Sequence, residues 1–392
     1  MKYERFLNSR IAAVPPSGIR RFFDIAAGMK DTISLGVGEP DFKTPYSIRN
    51  AAIDSLVDGE TQYTGNRGIP ELRNEISLYM QGRYGLSYNP ETEILVTIGA
   101  SEAIDVALRA LVEPGDEVLV PEPSYVSYSP GVIFAGGNPV GVVTREEDEF
   151  RLKAEYLEKS VTSRTKALIL PYPNNPTGGI MEQQDLTEVA DFVRKHDLMV
   201  ISDEIYSELV YDGKKHFSFA AVEGMAERTL TINGFSKSFA MTGWRVGYAC
   251  GPAEIISVMN KIHQYSIMCA PRQGQIAAEA ALRSGRENGY EEICRMRDSY
   301  DRRRRYMVNA FREMGLACFE PYGAFYAFPS IRTTGLSSEE FCSRLLREKN
   351  VAAVPGTAFG PSGEGNIRCC YATSIDKITV AMERISDFIQ SC

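Results

Sequence analysis

The sequence predicts an α/β protein with a large domain built on a mostly parallel sheet and a smaller α+β domain beside it. Three observations predict this architecture. With 392 residues, the chain is too long for one ordinary hydrophobic core. From about residue 90, short apolar strands alternate with amphipathic helices, as in α/β folds. The strands are almost continuously apolar, which is typical of a parallel sheet covered by helices on both faces.

The large domain is predicted to span residues 48–285. Its first clear strand is ILVTIG at 94–99, and a helix is predicted over 101–115, with Ser101 near its N-cap and Gly115 just past its end. Further strands are predicted at DEVLVPEP, NPVGVVT, TKALILPYP, LMVISDE, TLTINGF and RVGYACG. A helix, EQQDLTEVADFVRKHD, separates TKALILPYP from LMVISDE.

The remaining residues, 1–47 and 286–392, are predicted to form an N-terminal arm and the small domain. The C-terminal part contains the strands AFYAFPSI and IRCCYAT, the helix SSEEFCSRLLREKN and a final amphipathic helix. The N-terminal part is rich in turn residues, including GVGEPDFKTP. Because ligands commonly bind between two such units, we expect a cleft between them.

The composition argues against several classes of protein. The formal net charge of −8 is unlike that of nucleic-acid binders, which present a basic face. The basic run Arg302–Arg305 lies in a charged helical pattern and is interpreted as a solvated helix face. No apolar stretch is long enough to span a membrane, and the first ten residues lack the apolar core of a secretory signal. Eight scattered cysteines without CxxC spacing favour reduced thiols in a cytoplasmic protein.

Polar residues follow the predicted strands at the point where each strand ends. In open α/β sheets, ligands bind outside the carboxyl ends of the strands, so these residues are expected to share one rim. The set comprises Gly99, Ala100, Ser101, Tyr125, Asn174, Asn175, Asp203, Tyr206, Ser236 and Lys237.

Three of the charged residues carry chemistry that a ligand site needs. A desolvated lysine at position 237 has a lowered pKa and can form an imine as a neutral amine; the alternative is an ordinary surface lysine. Asp203 ends a buried strand, where a carboxylate needs a cationic or donor partner, unless it is only a cap or a salt bridge. Arg245 can bind a phosphate with two parallel hydrogen bonds, or serve as a salt bridge at the rim.

The uncharged residues are individually weaker signals. Ala100 and Ser101 lie between a strand and a helix N-terminus, which offers free N–H groups to a phosphate, but many such turns look alike. Tyr125 can stack on a flat ring, and Tyr206 can donate to a phenolic oxygen. Taken alone, Tyr125 is more often a packing residue, and the alternative for Tyr206 is an ordinary core tyrosine.

Five segments in this order resemble the fold-type-I, class I/II aminotransferases. They are LGVGEPDF, PYPNNPTG, SDEIYSELVY, NGFSKSFAMTGWRVG and IRCCYAT, and the resemblance runs from about residue 10 to the C-terminus. It implies the pyridoxal-phosphate-dependent transferase fold and pyridoxal 5'-phosphate as cofactor. The overall sequence is similar to bacterial aspartate, aromatic and N-acetyl-diaminopimelate aminotransferases.

The resemblance also implies roles for individual residues. Lys237 carries the cofactor covalently and acts as acid and base, while Asp203 holds the proton on the ring nitrogen. Asn175 and Tyr206 bond the ring oxygen, and Tyr125 stacks on the ring where many relatives have tryptophan. The phosphate lies among Ala100, Ser101, Ser236 and Arg245. Tyr63 matches a tyrosine that reaches the phosphate of the neighbouring subunit, which implies a homodimer with shared active sites.

For the substrate, the resemblance assigns the α-carboxylate to Arg368 and to the backbone of Gly38. Tyr125 and Asn175 lie beside it. Relatives fold an N-terminal helix over the substrate, so Arg20 or Arg21 is a candidate to bind a distal carboxylate, which would favour aspartate or glutamate. A surface arginine is the other interpretation of both.

The expected reaction is ping-pong transamination between an amino acid and a 2-oxo acid. Two alternatives use the same fold: a C–S β-lyase, and a catalytically silent binding or regulatory protein. A plain nucleotide-binding α/β protein is disfavoured, because neither a GxGxxG after the first strand nor a GxxxxGK[ST] loop is present.

Overall fold

The computed structural model describes residues 3–16, 18 and 31–391. Its strands are β1 (Ile33–Ser34), β2 (Ile94–Thr97), β3 (Glu117–Glu122), β4 (Asn138–Val143), β5 (Thr165–Leu170), β6 (Met199–Asp203), β7 (Thr229–Gly234), β8 (Gly247–Cys250), β9 (Tyr326–Ala327), β10 (Val351–Ala352), β11 (Val354–Pro355) and β12 (Ile367–Cys370). The described α-helices are α1 (Ser9–Ala12), α2 (Tyr46–Val57), α3 (Pro70–Tyr84), α4 (Gly99–Leu111), α5 (Tyr128–Phe134), α6 (Ala154–Glu158), α7 (Gln183–Lys195), α8 (Ala253–Ser266), α9 (Arg272–Asn288), α10 (Glu291–Glu313), α11 (Ser338–Lys349) and α12 (Ile375–Ile389).

The large sheet has seven strands in the order β2-β8-β7-β6-β5-β3-β4. Strands β4, β3, β5, β6 and β7 pair in parallel, whereas β8 runs antiparallel to both of its neighbours. The predicted mostly parallel sheet is therefore confirmed. The carboxyl ends of the parallel strands meet at one edge, and the amino-terminal end of β8 lies at that same edge.

Both faces of this sheet are buried, as the continuous apolar strands predicted. Along β5, Leu168 and Leu170 pack with α7 on one face, while Ile169 packs with α4 on the other. Successive side chains of a strand point to opposite faces, so a strand covered on both sides must be apolar at every position. The result is a helix–sheet–helix sandwich whose loops at the carboxyl edge are free to form a site.

Helix α4 differs from its predicted bounds. It begins at Gly99 rather than after Ser101, because the N-cap is Ile98 and Ser101 already lies in the first turn. It ends at Leu111, because Val112 is extended (φ −100°, ψ 131°), and Gly115 belongs to the following turn. The predicted start of the helix is therefore two residues too late: Ser101 is the third helical residue, and no side chain caps the helix.

The C-terminal residues form a second apolar core around a three-stranded antiparallel sheet, β11-β12-β9. The short strand β1 pairs in parallel with β10, with Ile33 opposite Val351. This pairing joins residues 33–34 to the C-terminal unit. The domain bounds, 48–285 for the large domain and 1–47 with 286–392 for the rest, stay a prediction.

The basic run is not simply a solvated helix face. Arg304, in α10, is fully buried and forms ion pairs with Asp212 and Asp301. A buried guanidinium requires such partners to offset its desolvation. Its neighbours Arg303 and Arg305 also pair with carboxylates. The prediction of a solvated face is therefore wrong for Arg304, which ties α10 to the segment after Tyr206.

The seven described cysteines are all free. None of the described helices combines the length and the apolar character that crossing a bilayer requires.

Candidate active site

A cleft of about 1260 Å³ opens at the carboxyl edge of the large sheet and extends to β12 of the small one. Eleven of the twelve predicted site residues line it: Gly38, Ala100, Ser101, Tyr125, Asn175, Asp203, Tyr206, Ser236, Lys237, Arg245 and Arg368. The twelfth, Tyr63, does not line the cleft and is 79 % exposed. The structure thus brings together residues separated by up to 330 positions.

Lys237 lies in the turn after β7, at the floor of the cleft. Desolvation of the ammonium lowers the pKa of Lys237 to about 8. Its Nζ donates to the carbonyl of Gly38 at 2.7 Å and lies 5.8 Å and 5.6 Å from the ring centroids of Tyr206 and Phe325. The neutral amine, which is the state that attacks a carbonyl carbon, is therefore much more populated near neutral pH than in an ordinary lysine.

Asp203 ends β6 and is buried. Desolvation raises the pKa of Asp203 to about 6, and two hydrogen bonds act in the opposite direction. Tyr128 donates its hydroxyl to Oδ2 at 2.7 Å, and the backbone N–H of Ile205 donates to Oδ1 at 3.2 Å. A buried carboxylate held in this way is poised to receive a cationic N–H group.

Tyr206 lies beside this carboxylate and is also buried. Its hydroxyl is 2.8 Å from that of Tyr326, and burial raises the pKa of Tyr206. Burial also raises the pKa of Tyr326, so both phenols stay protonated. One of them donates to the other, and the proton of the second can be offered to an acceptor in the cleft. Tyr326 also packs against Gly38, where an added Cβ would lie 2.3 Å from the tyrosine oxygen, so position 38 has no room for a side chain.

The turn between β2 and α4 is built to hold an anion. The first N–H groups of a helix lack intrahelical acceptors, so those of Ala100 and Ser101 can be offered to a ligand. Arg245 lies against this turn: a Cβ added to Gly99, whose φ is +71°, would lie 2.6 Å from its Nη2. On the other side, a Cβ on Gly247 would lie 2.5 Å from the nitrogen of Ala100. Only glycine fits at either position.

Arg368, on β12, is a buried arginine presented to the other end of the cleft. Its guanidinium carbon is 4.4 Å from the ring centroid of Tyr326 and 4.8 Å from that of Phe359. Nη1 donates to Oδ1 of Asn175 at 2.8 Å, and Nε has no partner among the described residues. An arginine held between two rings with an unused donor is suited to bind a carboxylate.

The cleft fits a flat ring with a phosphate at one end. Tyr125 is partly exposed on one wall and makes an edge contact with Tyr128, at 5.6 Å between centroids. Asp203 lies at the floor, and the glycine-lined turn beside Arg245 provides an anion cradle that any Cβ would fill. Lys237 lines the same cleft. This donor set matches a phosphorylated aromatic aldehyde.

Several contacts of the site were not predicted. Tyr128 and Tyr326 are 75 and 120 residues from the groups they bond, and Phe359 lies in a glycine-rich segment. Asn174 was grouped with the rim, but its side chain accepts hydrogen bonds from Thr177 within the same loop. Arg20 and Arg21, the candidates for a distal carboxylate, lie outside the described residues.

Comparison with known proteins is consistent with this geometry. The family model for aminotransferase class I and II matches residues 30–385. The chain is 49 % identical to an aspartate aminotransferase of Pyrococcus abyssi and 46 % identical to aromatic-amino-acid aminotransferase 2 of Thermococcus litoralis, in each case over 384 residues and 98 % of both chains. The crystal structure of an aromatic aminotransferase from Pyrococcus horikoshii superimposes with a TM-score of 0.90 at 47 % identity, covering 95 % of this chain and 99 % of that one.

Proposed function

The chain belongs to the class I and II aminotransferases, and we propose that it transfers the amino group between an L-amino acid of the aspartate type and a 2-oxo acid with pyridoxal 5'-phosphate bound in the cleft. One observation carries the cofactor assignment: a half-buried lysine with a pKa of about 8 lines the same cleft as a buried carboxylate and an anion cradle. When bound, the cofactor supplies an aldehyde for covalent attachment and a ring that withdraws electrons from the substrate Cα.

The residues of the cleft would hold this group at four places. Asp203 accepts the N–H of the protonated ring nitrogen, and its burial strengthens that ion pair. Asn175 and Tyr206 donate to the ring oxygen. Tyr125 covers one face of the ring. The phosphate is bound by the N–H groups and hydroxyls of the α4 turn and the lysine turn, together with a guanidinium: Ala100, Ser101, Ser236 and Arg245.

Lys237 moves the proton in the reaction. Displaced by the incoming amine, it becomes a free base of lowered pKa beside the substrate Cα. With the cofactor bound, the amine of Lys237 would take the proton from the substrate Cα and would return it in the second half of the proton transfer. The low pKa matters because an amine near neutral pH can both take and return a proton.

Arg368 binds the α-carboxylate and so fixes the Cα–H bond next to the lysine. Its charge is enclosed by Tyr326 and Phe359, which exclude water and strengthen the pairing. Because one site accepts donor and acceptor in turn, the kinetics are ping-pong.

The aspartate type is supported by similarity to relatives named for aspartate, although relatives named for aromatic amino acids are almost as similar. Within the described part of the cleft, the lining cations are Lys237, Arg245 and Arg368, each with a role above. A distal carboxylate therefore needs a further donor, and Arg20 and Arg21 remain the candidates for it.

A homodimer is supported by a surface that we call the α2 face. It exposes large apolar side chains, namely Tyr46, Ile53, Leu56, Val57 and Tyr63, with exposed fractions of 53–79 %. Contiguous apolar surface of this kind is typical of a protein interface. On this proposal Tyr63 serves the cleft of the neighbouring subunit.

We also infer a cytoplasmic location from the free thiols.

The function is tested with a panel of amino donors, each offered 2-oxoglutarate, oxaloacetate and pyruvate. We expect amino transfer that requires an acceptor, with aspartate among the best donors. Release of pyruvate and ammonia without an acceptor would indicate a β-lyase instead, and no turnover with any pair would favour a silent relative. Borohydride reduction followed by peptide mapping should label Lys237; labelling elsewhere would overturn the site assignment.

A further inference from the structure

A buried histidine and glutamate lie directly behind the anion cradle. His263, in α8, has no solvent exposure, and its Nδ1 is 2.6 Å from Oε1 of Glu102 in the first turn of α4. A carboxylate has no proton to give, so Nδ1 is the donor. The Nε2 atom of His263 has no partner among the described residues. The single polar contact of this ring is therefore directed at Glu102.

Glu102 in turn fixes the residue before the cradle. Its second oxygen, Oε2, accepts the backbone N–H of Ile98 at 2.5 Å. The carbonyl of Ile98 points to the other side, where Nη2 of Arg245 lies at 3.5 Å. The peptide groups of Ile98 are thus held between a carboxylate and the guanidinium that is proposed to bind the phosphate, and Gly99 begins the cradle immediately after it.

The position of the Glu102 carboxylate matters because the group is negatively charged and lies close to the anion cradle. Its side chain is only 11 % exposed, and Ser101, the next residue back, is proposed to contact an anionic phosphate. A mobile carboxylate here would turn towards the free N–H groups of the cradle and compete with the phosphate. The hydrogen bond from His263 holds the carboxylate towards α8 and Ile98 instead.

We propose that His263 is a positioning residue for the phosphate end of the cofactor, acting through the His263–Glu102–Ile98 contact to keep the Gly99–Ser101 turn open to an anion. This inference rests on the proposed function, because it requires pyridoxal 5'-phosphate to bind in this cleft. It assigns no catalytic contact to His263. Loss of His263 should therefore lower the affinity for the phosphorylated ligand specifically, and should not act through the stability of the fold.

The test compares two ligands that differ only in the phosphate. Dissociation constants of pyridoxal 5'-phosphate and of pyridoxal are measured by fluorescence titration of the full-length protein stripped of cofactor, for the wild type and for His263→Leu. We expect His263→Leu to weaken binding of pyridoxal 5'-phosphate about tenfold, as for a lost hydrogen bond to a charged group, and to leave pyridoxal binding unchanged. The matched control is His196→Leu, which removes another histidine–glutamate pair, with Glu158, at the opposite edge of the sheet.

Two polar variants keep the test decisive if the leucine variant does not fold. Asparagine places its amide nitrogen near the Nδ1 position, and glutamine places it near Nε2. We expect His263→Asn to restore the affinity for pyridoxal 5'-phosphate and His263→Gln to resemble the leucine variant. Equal losses for both ligands, or unchanged phosphate-dependent binding in folded His263→Leu and His263→Gln, would overturn the inference. Failure of the wild type to bind pyridoxal 5'-phosphate would instead overturn the proposed function.

Discussion

The hydroxyl of Tyr128 donates a hydrogen bond to Oδ2 of Asp203, with 2.7 Å between the two oxygens. The two residues come from different elements, the start of α5 and the end of β6. Burial raises the pKa of Asp203 to about 6, and the tyrosine opposes this shift because it stabilises the carboxylate. The charge that the ring nitrogen is proposed to need therefore depends on a neighbour outside the sheet.

Replacement of Tyr128 by phenylalanine should impair the reaction without unfolding the protein. Without this donor the carboxylate is less stable, so the pKa of Asp203 rises further and the acid limb of the kcat profile moves to higher pH. We expect kcat to fall about tenfold, the effect of one hydrogen bond to a charged group. The control is Tyr156→Phe, which removes a tyrosine–aspartate bond to Asp148 away from the cleft. An acid limb identical to that of the wild type would contradict the role of Tyr128.

Attachment of the cofactor should follow the titration of Lys237. Its pKa is lowered from 10.5 to about 8, so the neutral amine increases as the pH rises through 8 instead of through 10.5. The rate at which cofactor-free protein develops the imine absorption band should therefore rise with pH and level off above about 8. Lys237→Arg should show no band at any pH. A rate that continues to climb towards pH 10 would show that the lysine is not desolvated.

Loss of Arg368 should weaken every amino donor. Arg368→Ala removes the group proposed to bind the α-carboxylate, which all donors share, and leaves that charge without a partner. We expect kcat/KM to fall for acidic, aromatic and aliphatic donors alike. The fall should correspond to a loss of about 2–5 kcal/mol of transition-state stabilisation. Arg332→Ala, at an exposed arginine of the same unit, is the control. A defect limited to dicarboxylic donors would mean that Arg368 binds the side chain instead.

Two neighbouring glycines offer a matched test of the anion cradle. A Cβ at position 247 would lie 2.5 Å from backbone atoms of Gly99 and Ala100, whereas one at position 243 meets nothing within 4 Å. Gly247→Ala must displace the cradle, at a cost of about 1–3 kcal/mol, and should weaken pyridoxal 5'-phosphate binding accordingly. Gly243→Ala should bind the cofactor like the wild type. Equal affinities for both variants would refute the cradle.

Shared active sites can be tested by mixing two inactive variants. If Tyr63 serves the neighbouring cleft, a hybrid dimer of Tyr63→Ala and Lys237→Ala chains contains one cleft with both intact residues. Activity should therefore reappear when the two variants are unfolded and refolded together, and should not reappear when either is refolded alone. Mixed refolding without recovery, with hybrid dimers verified by mass spectrometry, would place Tyr63 outside the partner's site.

Much of the fold could be predicted because the seven strands of the large sheet are apolar runs bounded by turn residues. Helices α2 and α3 were missed, and their N-caps, Pro45 and Ile69, make no side-chain cap bond. The start of α3 nevertheless carries a signal, because Pro70 is its first residue. The antiparallel direction of β8 was also unpredicted, because alternation along the chain does not encode strand direction.

In the site too, the residues that nearby sequence marks could be predicted, whereas those defined by contacts with distant residues could not. Lys237 and Asp203 could be identified because Asp203 is the last residue of β6 and Lys237 lies in the turn after β7, so both are at the rim. Tyr128, Tyr326 and His263 could not, because their partners are 75, 120 and 161 residues away and no local pattern distinguishes them from ordinary core residues. Sequence reasoning found the groups that carry charge and missed the groups that orient them.

The reversed direction of β8 has a mechanical consequence. Because β7 arrives at the rim and β8 departs from it, the segment that joins them carries both Lys237 and Arg245. The proposed covalent attachment point and the proposed phosphate ligand therefore belong to one loop of one sheet. Arg368 belongs to the other sheet. Any shift between the two sheets therefore changes the distance from substrate to cofactor while the spacing of the cofactor's own two attachment points stays constant.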